Sequence, residues 1–269
     1  MHEQEWRHYV ARYHDTRSGI TERLFQQLDA SPYRWLAGSL RPEGPVLDLA
    51  CGSAPLRAVL PDADWAGIDS STGELARAAG QGRGPLVRGS ADALPVASGA
   101  VDAVCASMCL PVLTPLGQVL DEVRRVLRPG GMLAVLVPAR MGPMPSGLLG
   151  WLRVMWALRA VRQSWPNPEA CDNAAAVLRR AGFLVESDER RVFRLPLENS
   201  EDASRLVDAL YLPGLTPQRA EAAKSALGDW AEPGRALPLP LRRVVARTPD
   251  HRSTPSSTRA RTGGGRHEQ

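Results

Sequence analysis

Between residues 45 and 139 the chain passes through short, almost wholly apolar runs separated by stretches with helical spacing. The runs are PVLDLA (45–50), DWAGID (64–69), PLVRGS (85–90), VDAVCAS (101–107) and GMLAVLVPA (131–139). A strand wetted on one face alternates apolar with polar residues, whereas continuous apolar strands need cover on both faces. Strand followed by helix, repeated, supplies that cover as a parallel sheet between two helical layers. The predicted fold is α/β, a doubly wound sheet that is mostly parallel.

The flanks add helices to this core. Residues 4–40 carry ITERLFQQL and PYRWLAGSL, with apolar residues three and four apart. Within the core a helix is expected from Pro55, another over TGELARAAG and a third over LGQVLDEVRRVL, with RPGG (128–131) as the turn into the fifth strand. After residue 140 the rhythm breaks with MGPMPSGLLGWLRVMWALRAV, an apolar helical insertion. NPEACDNAAAVLRRAGF then leads to a strand at 183–187, residues 199–229 read as helices, and LPLPLRRVVART (237–248) reads as an antiparallel last strand. The expected division is an N-terminal helical lid (1–40), a ligand-binding core (41–139), the rest of the sheet with helical cap insertions (140–248), and a disordered basic tail (249–269).

Composition narrows the class. At 269 residues and 43% hydrophobic the chain can bury a full core. It has no uninterrupted apolar run of membrane-spanning length, and MHEQEWRHYV is unlike a secretory signal, so a soluble, cytoplasmic protein is expected. Cys51, Cys105, Cys109 and Cys171 show no CxxC spacing and read as reduced, buried thiols, with no metal expected. The net charge of +4 is mostly that of the tail, where Arg252, Arg259, Arg261 and Arg266 face only Glu268. The remainder is near neutral, which disfavours a nucleic-acid partner.

In an open parallel sheet, ligands bind beyond the carboxyl ends of the strands where the strand order reverses. Residues 50–55 form that turn, and they place Ala50, Gly52 and Pro55 where a dinucleotide site has three glycines. Pro55 withdraws a backbone donor that a pyrophosphate would use, and the Lys-Ser/Thr of a P-loop is absent. A phosphate-free ligand fits better. It needs close approach at Gly52, and Asp69 at the end of the second run can accept from both hydroxyls of a ribose. S-adenosylmethionine meets both conditions.

VLDLACGSAP, GIDSS, GSADALPV, VDAVCASMCL and EVRRVLRPGGMLAVLVP occur in the order and spacing of the class I S-adenosylmethionine-dependent methyltransferases. Over residues 44–139 the chain resembles their small-molecule group, typified by the menaquinone/ubiquinone C-methyltransferases, and the resemblance implies a Rossmann-like fold. It also implies that Asp48, Ala50 and Gly52 hold the amino-acid end of the cofactor, Asp69 the ribose and Ser70 the adenine. Ser90 and Ala91 would lie near the adenine amino group, and Ala106 and Ser107 beneath the sulfonium. The chain departs from the family at Ala54, where a third glycine is usual, and at Ser90, where an acid is usual. Pro111–Val112 replace a common histidine pair. Asp172–Asn173 resemble the metal-binding pair of catechol methyltransferases, but the insertion displaces them from the fifth strand.

The reading is an enzyme that methylates a small aromatic or lipophilic acceptor by positioning, as monomer or homodimer. The alternatives are a nucleic-acid methyltransferase, which lacks an N-P-P-[YFW] motif here, and a non-catalytic cofactor-binding protein. All five histidines lie in the terminal segments, leaving His14 as the candidate base, with His8 behind it. The acceptor pocket is expected from Tyr13, Met144, Trp151, Met155 and Tyr211, contributed by the lid and the two helical additions.

Overall fold

A computed structural model of the chain describes residues 3–140, 145–160 and 165–250, with the side chains of 145–147 left aside. Seven strands among them form one sheet: β1 (Val46–Leu49), β2 (Trp65–Asp69), β3 (Leu86–Arg88), β4 (Val101–Ser107), β5 (Leu127–Pro138), β6 (Leu184–Pro196) and β7 (Ala236–Arg247). Their order is β3-β2-β1-β4-β5-β7-β6. The first five pair in parallel, and β7 inserts antiparallel between β5 and β6. The expected mixed sheet with an antiparallel last strand is the observed one. Strand order reverses beside β1, which lies between β2 and β4, so the ligand crevice opens beyond Leu49, Asp69 and Ser107.

Period-two alternation sorts the strand residues between two cores. From β5, Met132, Ala134 and Leu136 pack with α2 (Ile20–Phe25), α3 (Pro32–Ala37), α9 (Ser200–Asp208) and α10 (Pro217–Gly228). Leu133, Val135 and Val137 point the other way, onto α5 (Leu116–Val126), α7 (Glu169–Asp172) and α8 (Ala174–Arg180). The apolar insertion forms α6 (Pro145–Ala157), which sets Val154 into the first core and leaves Leu149, Leu152 and Trp156 exposed.

Some local expectations change. No α-helix starts at Pro55; the segment makes only a 3-10 turn at Arg57–Val59. Pro61 explains the stop, because a residue before proline is driven out of the α region, and Leu60 sits at φ −127°, ψ 56°. RPGG is not a separate turn but part of β5, with Gly130 left-handed at φ 72° and a register shift opposite Val101–Ala103. The strand expected at 183–187 runs on to Pro196 because β7 pairs with it along its whole length.

Candidate functional site

The crevice is built by the turn after β1. Ala50, Gly52 and Ala54 alternate through left-handed backbone, at φ 50°, 55° and 55°. A Cβ at Gly52 would find only ordinary contacts with Glu74, so the glycine answers to its backbone angle rather than to crowding. Ala54 holds an angle that glycine adopts without strain, which accounts physically for the glycine usual at that position. Asp69 braces the turn, since its carboxylate accepts from Gly52 N and from Ser71 N, each at 2.8 Å.

Beneath the turn lies an ion pair that the sequence offered no local signal for. Glu22 on α2, buried, accepts from Ser53 Oγ at 2.6 Å and from Arg83 at 2.7 Å, and Arg83 also donates to Ser53 O. Burial pushes the Glu22 carboxyl up, but the Arg83 and Ser53 hydrogen bonds outweigh it and hold the group below the usual range.

Two adjoining cavities follow the crevice. Asp48, Ala50, Gly52, Asp69, Ser70 and Ser107 line the first, and Ser90 and Ala91 line the second, where Ala50, Asp69 and Ser70 recur. Eight of the nine residues expected at the cofactor therefore border the trough made by these two adjoining cavities, and Ala106 is fully buried and lines neither. Asp48 is 1% exposed, and its Oδ2 has no hydrogen-bond partner; neither does the buried Ser107 Oγ. Burial, then repulsion from Asp69, pushes the Asp48 carboxyl well above the usual range, and burial also raises Asp69. Orphaned acceptors of this kind suit a ligand that brings its own ammonium group, as the amino-acid end of S-adenosylmethionine does. The donor set fits that cofactor.

Helix α1 (Glu3–Thr16) roofs the trough and is pinned along its length. Trp6 donates to Val112 O at 2.7 Å, Arg7 meets Asp92 at 2.7 Å, and Asp15 accepts from Ser71 Oγ at 2.7 Å and Gly73 N at 3.2 Å. Asp92 also takes the Ser90 hydroxyl, so the nearby acid is already paired with the lid. Tyr13 is buried, donates to Asp208 O at 2.5 Å, and stacks on Tyr211 at 4.5 Å. It packs behind Tyr211 instead of lining a cavity.

His14 lines the first cavity, with Nδ1 2.8 Å from Glu74 Oε1 and Nε2 2.6 Å from the Tyr211 hydroxyl. Glu74 belongs to α4 (Thr72–Gly80), which Ser71 caps through a bond from Glu74 N. Ser71 and Glu74 have capping-box spacing, in which the glutamate would normally return to the cap. Here its carboxylate instead leaves the helix end for His14 and Gly19 N.

A third, apolar cavity of about 230 Å³ adjoins the trough. Thr21, Met108, Val112 and Tyr211 belong to both walls, and Trp151 lines the apolar side with its indole N–H bonded to Pro238 O at 2.7 Å. Of the residues expected at the acceptor, Trp151 and Tyr211 border this space. Met155 is half-buried on α6 outside it, and Met144 falls outside the described residues. Thr21, Met108, Glu22 and Glu74 were not anticipated.

Among the described residues no cluster of three or more His, Cys, Asp or Glu side chains is arranged to hold a metal ion, and Asp172 is paired with Arg140 at 2.6 Å. The four cysteines are free and buried, with burial raising every thiol, Cys171 up to about 12. No helix among these residues is long and apolar enough to cross a membrane.

Residues 47–135 match the model of the methyltransferase domain family. The chain is 43% identical over 138 residues to demethylmenaquinone methyltransferase of Beutenbergia cavernae, covering 49% of this chain and 57% of that protein. It is 35% identical over 121 residues to trans-aconitate 2-methyltransferase of Deinococcus radiodurans, covering 43% and 46%. The chain thus spans about half the length of these curated relatives. Among solved structures, the cyclase SpnF superposes with a TM-score of 0.58 at 18% identity over 90% of this chain and 95% of that one. An S-adenosylmethionine-dependent methyltransferase of Thermotoga maritima gives 0.54 at 15% identity, over 88% and 99%. These two likenesses concern the fold alone. The left-handed turn after β1 and the acid ending β2 both lie inside the matched segment, so residues 47–135 are a methyltransferase domain.

Proposed function

We propose that the protein transfers the methyl group of S-adenosylmethionine to a small lipophilic or aromatic acceptor. The observation that carries this reading is the apolar cavity behind Tyr211 and Met108, which shares a wall with the trough that ends at the orphaned Asp48 and Ser107. When bound, the cofactor supplies an electrophilic methyl carbon on a sulfonium. The chain's part is to hold the amino-acid end with Asp48, brace the ribose side with Asp69, and shut out water under α1. Alignment of two bound reactants can supply on the order of 7–11 kcal/mol of such a barrier. The similarity to a demethylmenaquinone methyltransferase supports a flat, apolar acceptor.

Calorimetry with S-adenosylhomocysteine, followed by transfer of a labelled methyl group to a metabolite extract read by mass spectrometry, tests the reading. Methylation of an apolar ring compound is the expected result. Binding without transfer to anything in the extract removes the catalytic claim, and a steep salt dependence of binding to RNA would replace the acceptor class.

A further inference from the structure

Glu74, His14 and Tyr211 come from α4, α1 and the loop after α9, and they meet in one hydrogen-bonded line. The Glu74 side chain is 4% exposed, and both its oxygens are committed, Oε1 to His14 and Oε2 to Gly19 N at 2.8 Å. A carboxylate that accepts on both sides requires the proton of the imidazole to sit on Nδ1. Nε2 then carries a lone pair, and the Tyr211 hydroxyl 2.6 Å away donates to it. The Tyr211 ring is clamped by its stack on Tyr13, and its wall is common to the cofactor trough and the apolar cavity. Ordinary packing does not call for a charged residue, an imidazole and a phenol aligned at the junction of two cavities.

We propose that these three residues form a proton-accepting relay, and that the acceptor is a lipophilic molecule whose reacting atom carries a proton, as in a phenol. This rests on the methyl-transfer reading above and narrows its substrate class. The acceptor hydroxyl gives its proton to the Tyr211 oxygen while the Tyr211 proton passes to His14 Nε2. The freed electron pair on the acceptor oxygen forms the bond to the methyl carbon, and the carbon–sulfur bond breaks with its pair going to sulfur. The positive charge lost at sulfur reappears on the imidazole, so charge balances. Tyr211 is the catalytic residue, touching the acceptor; His14 and Glu74 act through it. Burial raises the Tyr211 phenol, keeping it a donor to His14 at rest. Around His14 stand Glu74, Asp69 and Asp15, with Tyr13 beside it and Arg17 beyond the Tyr13 ring.

The test uses the full chain, labelled S-adenosylmethionine, and naphthol and tert-butylphenol as probe acceptors. Methylation of at least one on oxygen is expected, with Tyr211→Phe and His14→Gln each lowering kcat by about 10²–10⁴-fold and Kd for S-adenosylhomocysteine moving less than about twofold. In histidine-labelled protein without cofactor, nitrogen NMR should place the His14 proton on Nδ1, with the Nε2 resonance moving in Tyr211→Phe. Cofactor binding with neither phenol methylated overturns the relay and leaves the methyltransferase reading intact; loss of cofactor binding in the unaltered protein removes both. A Tyr211→Phe enzyme with unchanged kcat, one that loses cofactor affinity and melting temperature together, or a His14 proton found on Nε2 also overturns the relay.

Discussion

Replacing Asp48 by asparagine should make the empty protein more stable at neutral pH and a poorer binder of its cofactor. Asp48 is 1% exposed on the fully buried β1, its Oδ2 lacks a partner, and burial and Asp69 raise its carboxyl well above the usual range. A carboxyl with a raised value in the folded state favours folding below the ordinary aspartate range and loses that advantage as pH climbs toward the folded value. In that window the folded protein holds one more proton than the unfolded chain, so stability falls by up to about 1.4 kcal/mol per pH unit. Asparagine cannot titrate, and urea unfolding between pH 4 and pH 7 should show that slope flattened, with the variant ahead at the upper end. The bound state reverses the order, because an ammonium group facing Asp48 turns the orphaned oxygen into a charge-assisted acceptor. Losing such a bond costs about 1.5–3 kcal/mol, roughly a ten- to hundredfold rise in Kd for S-adenosylhomocysteine by calorimetry. An Asp48→Asn protein that is less stable than the parent at pH 7 and binds the ligand equally well would refute the reasoning on both counts.

Asp69→Ala strips the acceptor from Gly52 N and Ser71 N and should lower both stability and cofactor affinity by about 1–3 kcal/mol, read by thermal melts and calorimetry together. Gly67→Ala places a methyl 2.5 Å from the Trp65 ring and 2.8 Å from Cys51 Sγ, so a loss of about 1–3 kcal/mol in urea unfolding is expected; an unchanged midpoint would show that β2 yields freely. Gly73→Ala meets the Asp15 backbone at 2.9 Å and should lift α1 from α4, speeding amide exchange in residues 3–16 while the β1–β5 core stays protected. The four cysteines should resist a thiol reagent in the native state and all react after unfolding, and rapid labelling of any one in native protein would contradict its burial.

The doubly wound core, its ligand edge and the preference for a phosphate-free ligand were legible from residues 45–107, because they follow from short-range rules. Continuous apolar runs demand cover on two faces, and Pro55 subtracts a donor whatever surrounds it. Gly52 and Asp69 could be named because the turn after the first strand and the end of the second are placed by the alternation, whereas Asp48 was named only through the family resemblance. The sequence alone did not determine that β7 enters between β5 and β6 or that β6 runs to Pro196, since strand pairing is decided by long-range registers. Nor did it reveal that Glu74 abandons its capping position, or that His14 lies 60 residues from one hydrogen-bond partner and 197 from the other. Those contacts depend on α1 folding back across the crevice, and nothing local in EQEWRHYVARYHDT distinguishes a roof from a solvated helix. Only tertiary packing chooses, because what makes His14 and Tyr211 a pair is the desolvated space that the rest of the fold closes around them.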